Sequence, residues 1–573
     1  MAASNQFWFN SGANTQYNYY LNPLNLNVDT PKMDGVGLVS YDNKLITTGG
    51  WNPVGGVFVP GPNTNKQWES TDGGKNYIQV ADASFIPRHT HFALTLNNKI
   101  FVGGGFGNAL TPLKDVWSFT TAGGWVQTTA NWDSTVGDRG FFASCVHNGN
   151  ILIAGGQNDF TGTTMFTDIW QTADGVNFTK LCDLPVTLTD FSGGVIYSFN
   201  NKLYLVGGSK YAGGSNTNIN NNTYVSDNNG ATWANLGAVP TLMTGIFQNG
   251  CVWDGKMWYL CGSQSGVNIK GLYHSTDGIT WTPFYDAPSA RHATGMAVHN
   301  DKLIFFTGNF WNDSWCIQKE TARPIGYISP LLQTWYNSLI VKTSPALTTK
   351  LSVFMDGLDS DGVLVNSYLI APVGFGLETN EQRLRPLKTT SGDNLVAVNS
   401  PTITSTGITG NGSTSYIDLK WNMAVDATVA AQNNLSLATW VESDTPENKV
   451  EIGVFSGTNQ SFITRKFTDN NVYFSLNDAT NSVQVFDDSP DYYFSSINRI
   501  SSTQRNILRG FDVVVDTSST TVAIANYDIY GCGGNNAGTP ALLSTKEQRL
   551  FFIGNGAART WQLRQRLKYL DLP

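Results

Sequence analysis

The side chains with the widest chemical reach are two adjacent basic pairs, Arg88-His89 and Arg291-His292, a third arginine, Arg139, and aromatics scattered through Gly- and Asn-rich segments. Guanidinium and imidazole groups can hold anions or move protons, while aromatic faces among amides and hydroxyls suit sugars or polar protein surfaces. A complete catalytic set does not gather around them. Cleaving an acidic sugar needs an arginine cluster for its carboxylate, a tyrosine activated by a glutamate, and an acid or base aspartate. Residues 1–320 contain only three Arg and two Glu, Glu69 and Glu320. Glu69 adjoins Trp68 in a strand-like run, Glu320 lies at the region's edge, and no carboxylate pair for glycoside hydrolysis stands out. A copper centre would need converging His and Tyr ligands. His89 and His292 follow equivalent arginines in parts of the chain that are not neighbours, so the His residues (His89, His91, His147, His274, His292, His299) read as structural. No catalytic residue, metal or cofactor is expected.

The elements that must position these residues announce themselves as a repeat. Six segments share one phrase, a polar turn followed by an apolar strand that ends in Gly: DNKLITTGG (42–50), NNKIFVGGG (97–105), NGNILIAGG (148–156), NNKLYLVGG (200–208), DGKMWYLCG (254–262) and NDKLIFFTG (300–308). Another apolar strand precedes each, so the Asn and Asp residues make a tight hairpin turn. An aromatic-marked strand follows, at Trp68, Trp117, Trp170, Tyr224, Tyr273 and Trp315, and in five units a fourth strand completes the set. Arg88, Arg139 and Arg291 each fall 11 residues before the residue that opens the second strand, Lys99, Asn150 and Lys302.

A four-stranded unit repeated six times with this Gly pair and aromatic resembles the Kelch β-propeller, over roughly residues 1–320. The resemblance implies one blade per unit. The pattern lapses where Met33, Phe191 and Gly245 stand in place of arginine. Turns between third and fourth strands resemble the Asp box of sialidase-type propellers: Ser70, Asp72, Gly74 and Tyr77, then Ser226, Asn228, Gly230 and Trp233, and, one residue shorter, Ser275, Asp277, Gly278 and Trp281. Such boxes are structural, the carboxylate or amide capping turn N–H groups. Ring closure is expected from FWFNSGANTQYNYYLN (7–22), which supplies one or two strands to the sixth blade.

Loops between second and third strands, and between blades, open on one face of a propeller, and here they carry all the length variation. Variable loops on a repeating scaffold are where function usually sits. The binding candidates are therefore Trp51, Phe106, Phe160, Tyr211, Phe310 and Trp311, with Arg88, His89, Arg139, Arg291 and His292.

Beyond Lys319 the period changes. Ser344-Pro345 opens a helix with Leu347, Leu351, Phe354, Met355 and Leu358 at helical spacing, and 331–339 is also helical. Strand signals return at 415–422, 435–442, 450–457, 471–478, 511–517, 521–528 and 549–556, dense enough for a two-sheet sandwich. GITGNGSTSYIDL (407–419), SSTTVAIANYD (518–528) and FFIGNG resemble the laminin-G or concanavalin A-like lectin module of tailed-phage virion proteins, with 347–370 like the helical residues that often precede it. WQLRQRLKYLDLP takes the place of that family's usual C-terminal helix. The resemblance leaves calcium open and assigns it no ligands. The expected architecture is all-β: a six-bladed propeller (1–322), a helical connector (323–375) and a laminin-G/concanavalin A-like sandwich (376–573).

Composition narrows the role. The 573 residues carry a net charge of -8 and only 14% charged side chains, against about 25% in ordinary soluble domains. Nucleic acid and anionic membranes are excluded as partners by the scarcity of Lys and Arg. MAASNQFWFN lacks the basic and apolar regions of a secretory signal, and no apolar run reaches membrane-spanning length. Six Cys without CxxC spacing read as buried free thiols. Together with the resemblances, this implies a bacteriophage virion appendage, a tail fibre, spike or head fibre, assembled in the host cytoplasm. Its expected partners are a host-surface glycan or protein and other virion structural proteins, and a homotrimer is the expected form. A glycan-degrading enzyme of sialidase-like architecture and a purely structural decoration protein are the alternatives.

Overall fold

The computed structural model describes residues 17–571 apart from 26–27, 29, 53–62, 133, 214, 261, 265, 309–310, 322, 324, 428–433, 442–446, 457–458, 465–470, 479–482, 487–493, 510–511, 517–525 and 557–559. The described chain divides into two compact units, one of Leu21–Lys319 and one of the residues from Glu320 onward together with those up to Tyr20.

The first unit is a six-bladed β-propeller. Its six sheets begin with the hairpins Gly37–Tyr41/Lys44–Thr48, Phe92–Leu96/Lys99–Gly103, Ala143–His147/Asn150–Ala154, Val195–Phe199/Lys202–Val206, Asn249–Trp253/Lys256–Leu260 and Gly295–His299/Lys302–Phe306. Both turn residues have positive φ in every hairpin, from Asp42 (49°) and Asn43 (57°) to Asn300 (47°) and Asp301 (54°). Asn, Asp and Gly tolerate that region best, which is why the repeat phrase opens on them. First strands touch those of neighbouring blades around the axis, and the sixth meets the first. Between adjacent blades lie apolar clusters, such as Leu152, Ile169, Leu203, Leu205 and Tyr224 between the third and fourth.

One N-terminal strand closes the ring. Tyr17–Asn25 pairs with Ser314–Thr321, which contains Trp315 and is the sixth blade's third strand. The other closing strand considered, around Phe7, lies outside the described residues.

The second unit holds further antiparallel sheets and the longer helices: α1 (Pro330–Ser338), α2 (Pro345–Ser360), α3 (Asn380–Leu384) and α4 (Thr560–Asp571). Ser344 caps α2 by accepting from the Leu347 N–H, with Pro345 in the first turn. One sheet runs from Ser367–Ala371 through Glu547–Gly554 and Leu435–Val441 to Phe494–Arg499, Arg505–Arg509 and Asp512–Asp516. Leu369, Leu437, Ile497 and Phe551 from this sheet share a core with Leu419, Val454, Phe474 and Leu476 from strands of the other sheets. The stretch 323–375 thus supplies a sheet strand as well as helices. The C-terminal tail, expected to depart from the helix of the resembled module, is itself helical over Thr560–Asp571. Arg566 on α4 donates from Nε to Asp361 Oδ2 at 2.9 Å, over Gly357 of α2, where a Cβ would stand 2.5 Å from the guanidinium.

Candidate binding site

Just before each first strand, one residue turns left-handed. Gly35, Thr90, Phe141, Gly193, Phe247 and Ala293 occupy equivalent positions with φ of 59°, 52°, 56°, 61°, 60° and 51°. Among the described residues, backbone bonds join them directly at four of the six blade junctions: Thr90 N–H to Gly35 O at 3.0 Å, Gly193 to Phe141 at 2.5 Å, Ala293 to Phe247 at 2.9 Å and Gly35 to Ala293 at 2.9 Å. Between the fourth and fifth blades the donor slips one residue, Gln248 N–H reaching Gly193 O at 3.1 Å. A left-handed Phe, Thr or Ala costs on the order of 1 kcal/mol, so this annulus is strain held by the ring around it.

Above the annulus, on the loop face, lies a pocket of about 100 Å³ lined by Asp34, Gly35, Trp51, His89, Thr90, Leu110, Phe141, Phe160, Tyr211, Phe247, His292 and Ala293. Its aromatic side is continuous: ring centroids stand 5.1 Å apart for Phe141–Phe160, 4.8 Å for Phe141–Phe247, 5.8 Å for Phe160–Tyr211 and 5.3 Å for Tyr211–Phe247. Tyr211 sits on a small extra hairpin, Lys210–Ala212/Ser215–Thr217. Gln157 of the preceding blade fixes this hairpin, its Nε2 donating to Tyr211 O at 3.1 Å and its Oε1 accepting from Tyr211 N–H at 3.2 Å.

The polar lining residues pack against these rings, His89 with its centroid 6.0 Å from that of Phe160 and His292 5.4 Å from that of Phe247. His292 Nε2 and Asp34 Oδ2 lie 3.0 Å apart, and His292 Nδ1 is 2.6 Å from Asn268 Oδ1. Burial opposes a charge on His292, but the Asp34 carboxylate outweighs it and raises the imidazole above its usual range. Fully enclosed His89 goes the other way: burial pushes it down to about 4 despite Asp34, leaving a neutral ring at neutral pH. Asp34 Oδ1, His89 Nδ1 and Thr90 Oγ1 are buried without a hydrogen-bond partner.

Comparison with solved structures finds similarity to that of YjhT: 11% identity and a TM-score of 0.40, covering 52% of this chain and 96% of that one. No protein-family model and no curated protein matches the sequence.

Trp51, His89, Phe160, Tyr211 and His292 meet in the pocket, with Phe106 packed behind Phe160 at 4.9 Å. His89 and His292, read as too far apart in blade order to act together, both flank Asp34, because pre-strand residues converge on the axis whatever their blade. The three arginines are not binding residues. Each is fully buried. Arg88 reaches Gly104 O at 3.2 Å and Asp115 at 2.7 Å; Arg139 reaches Gly155 O at 3.1 Å and Asp168 at 2.7 Å; Arg291 reaches Thr307 O at 3.0 Å and Asp313 at 2.8 Å. The same aspartates accept from the indoles of Trp117, Trp170 and Trp315. Their constant offset therefore records an Arg-Asp-Trp clamp that ties the blade's entry to its Gly pair and third strand. Trp311 is exposed outside the pocket, its ring 5.9 Å from the Arg291 guanidinium, and Phe310 lies outside the described residues.

Asp34, Phe141 and Phe247 were missed as site residues. Their signal was available: each stands in the three-residue lead-in to a first strand, the register already occupied by His89 and His292. Among the described residues no group of three or more His, Cys, Asp or Glu gathers to hold a metal ion.

Proposed function

We propose that the protein is a receptor-binding appendage of a tailed-phage virion, a tail fibre, spike or head fibre, that engages a host-surface glycan through the propeller's loop face. The observation that carries this reading is the axial pocket, where a continuous aromatic wall meets Asp34, His89 and His292. Sparse charge and the sequence resemblances, Kelch-type for the propeller and laminin-G/concanavalin A-like for the second unit, support it. The role is binding rather than catalysis: the three arginines an acidic-sugar hydrolase would need are spent on buried aspartates. A homotrimer assembled in the host cytoplasm with other virion proteins completes the proposal.

The test is direct. The protein is expected in purified particles, and segments 1–325 and 340–573, expressed separately, are expected to divide host-cell binding so that the first retains it. Absence from particles, or failure of the full chain to bind host cells, would overturn the reading.

A further inference from the structure

We infer that the axial pocket accepts one uncharged hexopyranosyl residue, its C–H face on the wall of Phe141, Phe160, Tyr211 and Phe247 and its hydroxyl edge toward the Asp34 carboxylate. This deepens the glycan-receptor reading and rests on it for the ligand's class; the site is argued from its own geometry.

Three features select the ligand. First, aromatic rings line the pocket together with the Asp34 carboxylate, whose Oδ1 has no hydrogen-bond partner, so a wholly apolar ligand would leave that acceptor unpaired. A hydroxyl edge both donates and accepts. It can donate a hydrogen bond to the carboxylate oxygen. Second, the wall is corrugated rather than flat: Phe141 and Phe160 are inclined at 66°, Phe141 and Phe247 at 54°, Phe160 and Tyr211 at 81°. A puckered C–H face can meet several inclined rings at once, whereas a planar base can lie parallel to only one of them. Third, among the described residues no Arg or Lys lines the pocket. His292 already faces Asp34 Oδ2 and Asn268 Oδ1, so a sugar carboxylate, sulfate or phosphate would meet the Asp34 carboxylate with nothing to balance it.

Ligand-observed NMR with the full-length protein and methyl glycosides of glucose, galactose and mannose tests this, with methyl glucuronide, N-acetylneuraminic acid and adenosine as competitors. Expected is saturation transfer from the aromatic wall to the C–H protons of at least one neutral glycoside. Asp34→Asn should weaken it about tenfold or more, the usual effect of replacing a charged hydrogen-bond acceptor. Phe160→Ala should also weaken it, and both variants should keep the near-UV circular dichroism of the parent. Because either variant could perturb folding, displacement of the glycoside is read on the parent too: competition by adenosine or an acidic sugar overturns the inference. So does binding unchanged in both variants, or no transfer from any neutral glycoside. A chain that binds host cells but no neutral glycoside would overturn the pocket inference and leave the receptor reading standing. A pocket that takes the sugar on a chain that ignores host cells would do the reverse.

Discussion

His89 and His292 flank the same carboxylate and shift in opposite directions, because His89 is sealed against aromatic rings while His292 has an acceptor at each nitrogen. His89 folds with a depressed value of about 4, so between about pH 6.5 and 4 the unfolded chain takes up a proton that the folded one refuses, and stability falls as pH drops through that window. The full shift corresponds to about 3 kcal/mol. His274, also lowered to about 4, and His91, well below its usual range, act in the same sense. His292, raised, contributes stability present below about pH 6.5 and lost as pH climbs through its folded value. Acid lability therefore dominates, and melting temperature measured against pH should decline steeply from 6.5 to 4, with His89→Gln flattening the slope. Each buried Arg-Asp pair gives a second residue-scale prediction. Arg291→Met strands Asp313 and should cost about 3–5 kcal/mol, while adding Asp313→Leu should recover part of it, read as shifts in urea midpoint. The clamp was half legible in the sequence. The arginine offset was visible, but its partner stands two residues before an aromatic, and where arginine is lost at Met33, Phe191 and Gly245 the aspartate is lost too, at Lys66, Asn222 and Gly271.

At the scale of elements, the turns behave as their residues require. In the first Asp box, Ser70 Oγ accepts from Gly74 N–H at 2.8 Å and Asp72 Oδ1 from Lys75 and Asn76 N–H at 3.0 Å. The third blade has the same device at Thr172, Asp174 and Gly175, unnoticed in the sequence because Thr replaces Ser and the loop is one residue shorter. There, burial works against the Asp174 charge but the Asn177 and Val176 N–H groups hold it down to about 2. The Gly pairs follow from sterics: at Gly155, φ is +62° and a Cβ would lie 2.2 Å from Phe191 O. Gly124 has φ +64° and nothing within 4 Å. Gly155→Ala should therefore lower the melting temperature far more than Gly124→Ala, whose cost is only the left-handed conformation, about 1–2 kcal/mol. Strand existence was readable from such signals. The strands missed in the second unit, among them Ser367–Ala371, Phe494–Arg499 and Arg505–Arg509, are the ones buried within a wide sheet, where alternation gives way to runs such as YLIA.

For the whole molecule, the number of blades was legible because each blade repeats its own turn and Gly pair, while the pocket was not, because it is made from six places about fifty residues apart. Closure by Tyr17–Asn25 makes the ring depend on the chain's beginning. Deleting residues 1–25 leaves the Ser314–Thr321 edge unpaired. It should lower the propeller's unfolding transition and open the 295–321 region to protease, with amide exchange rising there first.

The left-handed annulus has a further consequence. Since its backbone bonds join the blades at five of the six junctions among the described residues and Phe141 and Phe247 belong to it, the pocket's width follows the blade count. Loop insertions can reshape the rim without touching the floor, but gain or loss of one repeat would rescale the aperture itself. Selectivity for ligand size is thus written in how many times the sequence repeats, and selectivity for ligand chemistry in what each repeat places just before its first strand.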